Sequence, residues 1–316
     1  MAALVFALFS DACGSASAAY PVKPIRLIVA VPPGGPADTL SRLISPRLTE
    51  ALGQPIVIDN RPGANGNIAY ETVARAVPDG YTLTAVAAGV AINPSLYRDV
   101  KYDPITDFAP ITQGISVPNI LVVHSAVAAA SVKDLIALAK ARPRQISIAS
   151  TGSGGLPHLA LELLKNAAKI EVIHVPYKGA APAVTDLLGG QVSGLFADLP
   201  VLQPYITSAR LRALAVASPK RSKLLADVPT MTEQGLPSVE AINWYGVLVA
   251  AKTPPEVIAK LHDAIVKSLN DTDLREKLVS RGADPIPSTS EQFAAFLKDE
   301  LAKWGRIAKE SGAKID

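Results

Sequence analysis

The chain has 316 residues, 49% apolar, 19% charged and only 5% aromatic, with 31 basic and 28 acidic side chains for a formal net charge of +3. That length suits two α/β lobes better than one, and the composition is that of a globular protein in water. So small and scattered a positive excess excludes a nucleic-acid footprint and licenses no more than a mild attraction for anions.

Ala2–Ser10 is an apolar run followed by small residues ending in Ser17-Ala18-Ala19. It reads as the apolar region and cleavage site of a secretory signal, although the positive residues that usually precede one are missing. This predicts removal of residues 1–19. No other stretch approaches the ~20 apolar residues of a membrane span, so the chain after Tyr20 is expected to be soluble. Cys13, the only cysteine, falls inside the segment. Asp11, two positions earlier, stands where a lipid-anchored cysteine wants a small neutral residue. The mature chain would then have no cysteine, which rules out disulfides and thiol catalysis and is compatible with an oxidising compartment.

From Ile25 onward strand and helix alternate, which predicts mostly parallel sheets covered by helices. Ile25-Val31 is a near-continuous apolar run, as expected of a strand buried on both faces. It leads into the turn Pro32-Pro33-Gly34-Gly35-Pro36-Ala37-Asp38. Leu40, Leu43, Ile44 and Leu48 recur at helical spacing up to the stop at Gly53, with Pro46 expected to kink the helix. Pro55-Ile58 reads as a second strand, Ile68-Val77 as a helix ended by Pro78-Asp79-Gly80, and Thr82-Ala87 as a third strand. Ile120-His124 predicts another, followed by a helix from Ser131, its N-cap, to Ala141. A second glycine-rich turn, Ser150-Thr151-Gly152-Ser153-Gly154-Gly155, follows Ile146-Ala149 and opens a helix over Leu156-Ala168. The strand Val172-Val175, the helix Ala181-Leu188 and the strands Gln191-Ala197 and Leu211-Ala217 come next. Trp244-Ala250 gives one more strand before three amphipathic helices near 254–270, 272–281 and 290–311. There is no repeat of solenoid period and no low-complexity tract. The shared opening of strand, glycine turn and helix predicts a pair of similar lobes.

The two glycine turns carry the strongest functional signal. Each would offer free backbone N–H groups and the positive end of a helix dipole, which suits an anion. One such turn per lobe suits an acid held in a cleft. Catalytic signatures fail on inspection. Thr151 stands where a nucleophile elbow needs its first glycine, and the dinucleotide fingerprint breaks at Pro157. There is no Walker lysine and no His-Glu-x-x-His, and His124, His158, His174 and His262 lack ligand spacing. No catalytic residue, cofactor or metal is assigned. His158, about one turn into its helix, is placed either to reach a ligand or to be satisfied by neighbouring backbone. Asp38 reads first as a carboxylate that positions the start of its helix, meeting a bound anion only through water. Asn93-Pro94-Ser95-Leu96-Tyr97, Val175-Pro176-Tyr177-Lys178-Gly179 and Phe196-Ala197-Asp198-Leu199-Pro200 follow apparent strands, where ligands collect in open parallel sheets. Each alone is an ordinary proline-fixed loop. With the glycine turns they predict one shared cleft.

Val31-Pro32-Pro33-Gly34-Gly35, Asn60-Arg61-Pro62-Gly63-Ala64, Pro78-Asp79-Gly80-Tyr81-Thr82-Leu83 and Asn93-Pro94-Ser95-Leu96-Tyr97 stand in the order found in the solute receptors of tripartite tricarboxylate transporters, the Bug receptors. Tyr102-Asp103-Pro104-Ile105-Thr106-Asp107-Phe108, His174-Val175-Pro176-Tyr177-Lys178-Gly179, Leu211-Arg212-Ala213-Leu214-Ala215-Val216 and Glu233-Gln234-Gly235-Leu236-Pro237 continue the series. The chain after Tyr20 resembles that family throughout. The resemblance implies an α/β fold with two lobes, a type II periplasmic binding protein that closes like a flytrap, with a mostly parallel sheet in each lobe. It implies a first lobe of residues 20–124 plus 243–316 and a second of 125–242, behind the signal-like segment 1–19. It further implies a periplasmic monomer that binds a small organic acid and serves two membrane subunits of a transporter. Carried onto this sequence, the ligand-binding residues are Pro33, Gly34, Gly35, Asp38, Ala88, Gly89, Asn93, Ser150, Thr151, Gly152, Ser153, Gly154, His158, Tyr177 and Asp198. The first turn departs from the family at Pro36-Ala37, where many relatives have a further glycine, serine or threonine. Pro46 in the first helix is also unusual.

Two other function classes remain open at this level. One is an enzyme acting on small acids through Ser150, Ser153 or His158, against which the missing elbow glycine weighs. The other is a receptor that binds the same ligands for a signalling partner.

Overall fold

A computed structural model describes residues 20–311; the signal-like segment 1–19, with Cys13, and residues 312–316 lie outside the described residues. The first half builds β1 (Ile25–Val29), α1 (Pro36–Leu52), β2 (Ile56–Asn60), α2 (Asn67–Ala74), β3 (Thr82–Ala87), α3 (Gly89–Leu96) and the long β4 (Phe108–His124). The second half adds α4 (Val132–Ala141), β5 (Ser147–Ser150), α5 (Leu156–Ala168), β6 (Ile173–Pro176), α6 (Ala180–Leu188), β7 (Gly194–Asp198), α7 (Leu199–Thr207) and β8 (Leu211–Val216). The chain then returns through β9 (Ile242–Ala250), α8 (Pro255–Leu269), α9 (Thr272–Val279), β10 (Asp284–Pro285) and α10 (Ser290–Ser311).

The strands run in the order β2-β1-β3-β9-β4-β7-β5-β6, with β8 and β10 also on β4. Parallel pairing holds in β2-β1-β3 of the first half and β6-β5-β7 of the second. The crossing strands add antiparallel pairs, β9 with β3 and β4, and β4 with β7 and β8. From Phe108 to Pro118, β4 pairs with β9; from Asn119 onward it pairs with β7 and β8. The partner therefore changes at Pro118-Asn119, ahead of the limit at residue 124 expected from the sequence. The return crossing lies beside it: Asn119 N–H donates to Ala241 O at 3.1 Å and Ala217 N–H to Asn119 O at 2.8 Å.

Local sequence explains these elements. Ile25, Ile28 and Val29 of β1 are fully buried, and each such side chain contributes ~1.5–3 kcal/mol relative to exposure. Gly53, in the left-handed region at φ 69°, ends α1, and Ser131 opens α4 with a capping box to Asp134. Pro46 lies inside an α1 that is continuous from Pro36 to Leu52. The first part of β4 is interrupted in sequence by Pro110, Gly114 and Pro118. Register shifts at Pro110/Thr112 and Gln113/Ile115 absorb the irregularity, since a bulge tolerates a missing N–H. Asn93-Pro94-Ser95-Leu96, read as a loop, belongs to helix α3, and Leu199-Pro200 opens helix α7.

One core, with Leu27, Val29, Leu40, Ile44, Leu83, Val247 and Leu261, lies under α1 and α8. A second takes Ile28, Val86, Trp244, Leu248 and Phe293 from the first half and continues into Leu121, Ile148, Leu159 and Leu164 of the second. A third, with Val184, Leu187, Leu195 and Leu202, fills the remaining face of the second half. Buried Glu300 accepts from both Trp244 Nε1 and Trp304 Nε1 at 2.8 Å, fixing α10 against β9.

Candidate functional site

Both glycine turns open onto one cleft between the halves, a cavity of about 740 Å³. The first half supplies Val31, Pro32, Gly35 and Pro36, the loop Pro62 to Gly66, Gly89 and Tyr97. The second half supplies Thr151, Gly152, Ser153, Gly155 and the loop Pro176 to Ala180. Asp198, Asn243 and Tyr245 close the end nearest the strand crossing.

The two turns share one geometry. Gly34 and Gly154 have φ of 85° and 73°, a region where a side chain is strained. Gly35 and Gly155 follow as helix N-caps with φ/ψ of −70°/164° and −75°/165°. Neither helix has a side-chain cap, and each carries proline in its first turn. Among the described residues, the first N–H groups of α1 and α5 therefore have neither an intrahelical nor a side-chain partner, and each helix puts the positive end of its dipole at its turn. In both turns the N–H of the glycine just before the N-cap is taken four residues on: Gly34 donates to Asp38 Oδ2 at 2.9 Å and Gly154 to His158 Nδ1 at 3.0 Å.

Asp38 is a brace of the first turn. Its buried carboxylate also accepts from Arg42 Nε at 3.0 Å and Asn60 Nδ2 at 2.9 Å. Burial opposes its charge, but the bonds from Arg42, Gly34 and Asn60 outweigh it and hold the carboxyl below the usual range. His158 plays the matching part in the second turn. As an acceptor at Nδ1 it is neutral, and burial lowers its pKa further. Its ring stacks on His174 at 3.9 Å between centroids, and His174 Nε2 lies 2.7 Å from Ser150 Oγ. Burial, then His158, pushes His174 down to about 3. The stack is a neutral support for the turn.

Asp198 is the acid at the end of the cleft. It is 6% exposed and accepts from Asn119 Nδ2 at 2.8 Å, from Asn243 Nδ2 at 3.1 Å and from the Tyr245 hydroxyl. Burial raises its pKa to about 6 against the lowering effect of these three donors. Asn119 and Asn243 belong to the two crossing strands, so the carboxyl ties β7 to both.

A family profile, the tripartite tricarboxylate transporter family receptor, matches residues 40–313. The chain belongs to that family. Protein BugT of Bordetella pertussis (strain Tohama I) is 37% identical over 298 residues, covering 94% of this chain and 91% of its own. Among solved structures, R. palustris Rpa4515 with adipate is 36% identical at a TM-score of 0.89, over 94% of this chain and all of its own. MatC from Rhodopseudomonas palustris with bound malate is 29% identical at a TM-score of 0.84, over 91% and 99%. This receptor has the two-lobed periplasmic binding protein fold of its relatives. The family consists of solute receptors rather than enzymes, so the catalytic alternative for Ser150, Ser153 and His158 falls away. Among the described residues, no helix is long and apolar enough to cross a membrane.

Of the receptor residues singled out from sequence, Gly35, Gly89, Thr151, Gly152, Ser153, Tyr177 and Asp198 line the cleft. Among the described residues the Thr151 and Ser153 hydroxyls have no partner, whereas the Tyr177 hydroxyl donates to Asp186 at 2.7 Å. Pro33 is on the exposed side of its turn, and Gly34 faces a smaller cavity near Arg281. Asp38, Gly154 and His158 brace the turns from inside. Ser150 is buried on His174, while Ala88 and Asn93 are buried behind Gly89 and Asn65. Tyr97, the end of a loop expected at the cleft, also lines it, as do Asn65, Asn243 and Tyr245, which the sequence did not single out. Asn65-Gly66 was visible as a turn-forming pair; nothing local marks Asn243 or Tyr245.

Proposed function

We propose that this receptor captures a small organic acid between its two glycine turns, closes on it, and delivers it to the membrane subunits of a tripartite tricarboxylate-type transporter. The matched pair of uncapped helix starts, one from each half and both opening on the same cleft, carries this reading. A carboxylate there would take backbone N–H groups, the Thr151 and Ser153 hydroxyls and ordered waters. Lys178 is the only cation among the described lining residues, and it is exposed. Helix ends contribute ~0.3–1 kcal/mol each when exposed and up to ~2 when partly buried. Hydrogen bonds to a charged acceptor add ~1.5–3 kcal/mol each. Micromolar affinity, about −8 kcal/mol, is within reach without an ion pair.

The adipate and malate of the relatives put dicarboxylates first among the candidates. Residues 1–19 direct export, and the mature receptor works in the periplasm as a monomer serving two membrane subunits. Its lobes comprise residues 20–118 with 242–316, and 119–241. A thermal-shift screen with adipate, malate and benzoate tests the ligand class. An acid at about 100 times its dissociation constant stabilises by ~2.7 kcal/mol. A rise of several degrees with one or more acids supports the reading; no rise with any carboxylate at millimolar concentration contradicts it.

A further inference from the structure

Asn65 lies in the first half, in the loop between β2 and α2, with φ 51° in the left-handed region. Both N–H groups of its amide are used. Nδ2 donates to Asn93 Oδ1 at 2.7 Å and to the Gly154 carbonyl at 3.0 Å. Gly154 belongs to the second half, so the second bond runs directly across the cleft.

The amide is held from behind. Buried Asn93 donates to Asn65 O at 3.1 Å and to Asn67 Oδ1 at 2.6 Å, and Tyr102 Oη donates to that same oxygen at 3.0 Å. There is no slack around it either. A Cβ on Gly89 would come within 2.8 Å of Asn65 O and 3.1 Å of Nδ2, and one on Gly155 within 3.4 Å of Oδ1. On its far side the Gly154 N–H is taken by His158. The two peptide groups flanking Gly154 are thus fixed one from each half. Tyr97 Oη also approaches Ser153 O, but at 3.4 Å this is a long, weak contact.

We infer that Asn65 is an interlobe latch: its amide grips the Gly154 carbonyl, so the second glycine turn reaches its final geometry only when the halves are apposed. This builds on the closing cleft of the proposed receptor. The bond runs from protein to protein, so it favours closure whatever occupies the cleft. Asn65 is a positioning residue, and its effect is read in the balance of open and closed forms. A hydrogen bond of ordinary net strength corresponds to about a 2- to 12-fold change in that balance.

Asn65→Gly removes the amide and keeps the left-handed backbone, since glycine adopts φ near 51° freely. Gly89→Ala displaces the amide without removing it. Tyr97→Phe deletes only the long contact. Small-angle scattering and amide exchange are measured on the protein with no acid added. Asn65→Gly and Gly89→Ala should enlarge the radius of gyration and speed exchange across residues 151–156 by about 2- to 12-fold. Exchange in β1 and β5 should stay as in wild type, and Tyr97→Phe should change exchange by less than about 2-fold. Wild-type scattering and exchange in both Asn65→Gly and Gly89→Ala would overturn the latch. So would an effect as large in Tyr97→Phe as in Asn65→Gly. If Asn65→Gly loosens β1 and β5 as well, Gly89→Ala alone decides. No organic acid enters the test, so its failure is distinct from a failure of the proposed ligand class.

Discussion

Replacing Asp198 by asparagine should flatten a specific part of the receptor's stability profile. In the folded protein this carboxyl titrates near 6, against 3.8 for an ordinary aspartate, because burial opposes its charge more than its three donors favour it. Between these values the folded state keeps a proton that the unfolded chain has released. The resulting stabilisation is complete below about pH 4 and is lost as pH rises through 6. A shift of about two units corresponds to roughly 3 kcal/mol, and at 6% exposure little of it is screened by solvent. His158 and His174 titrate in both proteins, so their contributions cancel in the difference. Urea unfolding of wild type and Asp198→Asn over about pH 4 to 8 gives that difference directly, provided the slopes agree. Wild-type stability minus variant stability should fall by ~2–3 kcal/mol between about pH 4 and 7 and then level off. A difference that stays constant over the whole range would refute the account of Asp198 as a buried carboxyl tying β7 to both crossing strands.

Other outcomes follow from the same geometry. His174, held down to about 3 by burial, should cost stability as pH falls from 6.5 toward that value, because only the unfolded chain takes up the proton; thermal melts of wild type and His174→Gln should converge on acidification, and parallel melts would count against the neutral stack. Gly154→Ala places a side chain at φ 73°, a strain of ~1–2 kcal/mol, and should weaken binding of an acid found in the screen while the far-ultraviolet circular dichroism stays native. Lys178→Ala should weaken that acid less than about 3-fold, and joint replacement of Thr151 and Ser153 by alanine more than about 10-fold; the reverse order in calorimetry would place recognition on a salt bridge. The acid should also reduce the radius of gyration, and identical scattering curves at saturation would contradict closure.

Elements built on regular apolar spacing were legible in the sequence. The helix Leu156–Ala168 and the cap at Ser131 stand where periodicity and capping chemistry put them. The start of β4 was not, because Pro110, Gly114 and Pro118 break its pattern and only bulged pairing with β9 makes it a strand. α3 and α7 were hidden by Pro94 and Pro204 inside them. The glycine turns marked out the candidate anion site through their composition and their place between strand and helix. Their internal braces could not be assigned from local sequence, because whether Asp38 or His158 faces a ligand or its own turn depends on ring and carboxyl orientation. Asn65, Asn243 and Tyr245 enter the cleft only through contacts between distant segments: Asn65 meets Gly154 from the opposite half, and Asn243 and Tyr245 meet Asp198 across the crossing.

The proposed recognition of a carboxylate by the paired glycine turns is open to a direct test. Calorimetry of one acid from the screen, side by side with its uncharged amide, addresses it most directly. The account predicts binding of the acid at least about 100-fold tighter than the amide, or ~2.7 kcal/mol. It also predicts that the preference shrinks when Thr151 and Ser153 are both alanine. Equal affinity for acid and amide would contradict it.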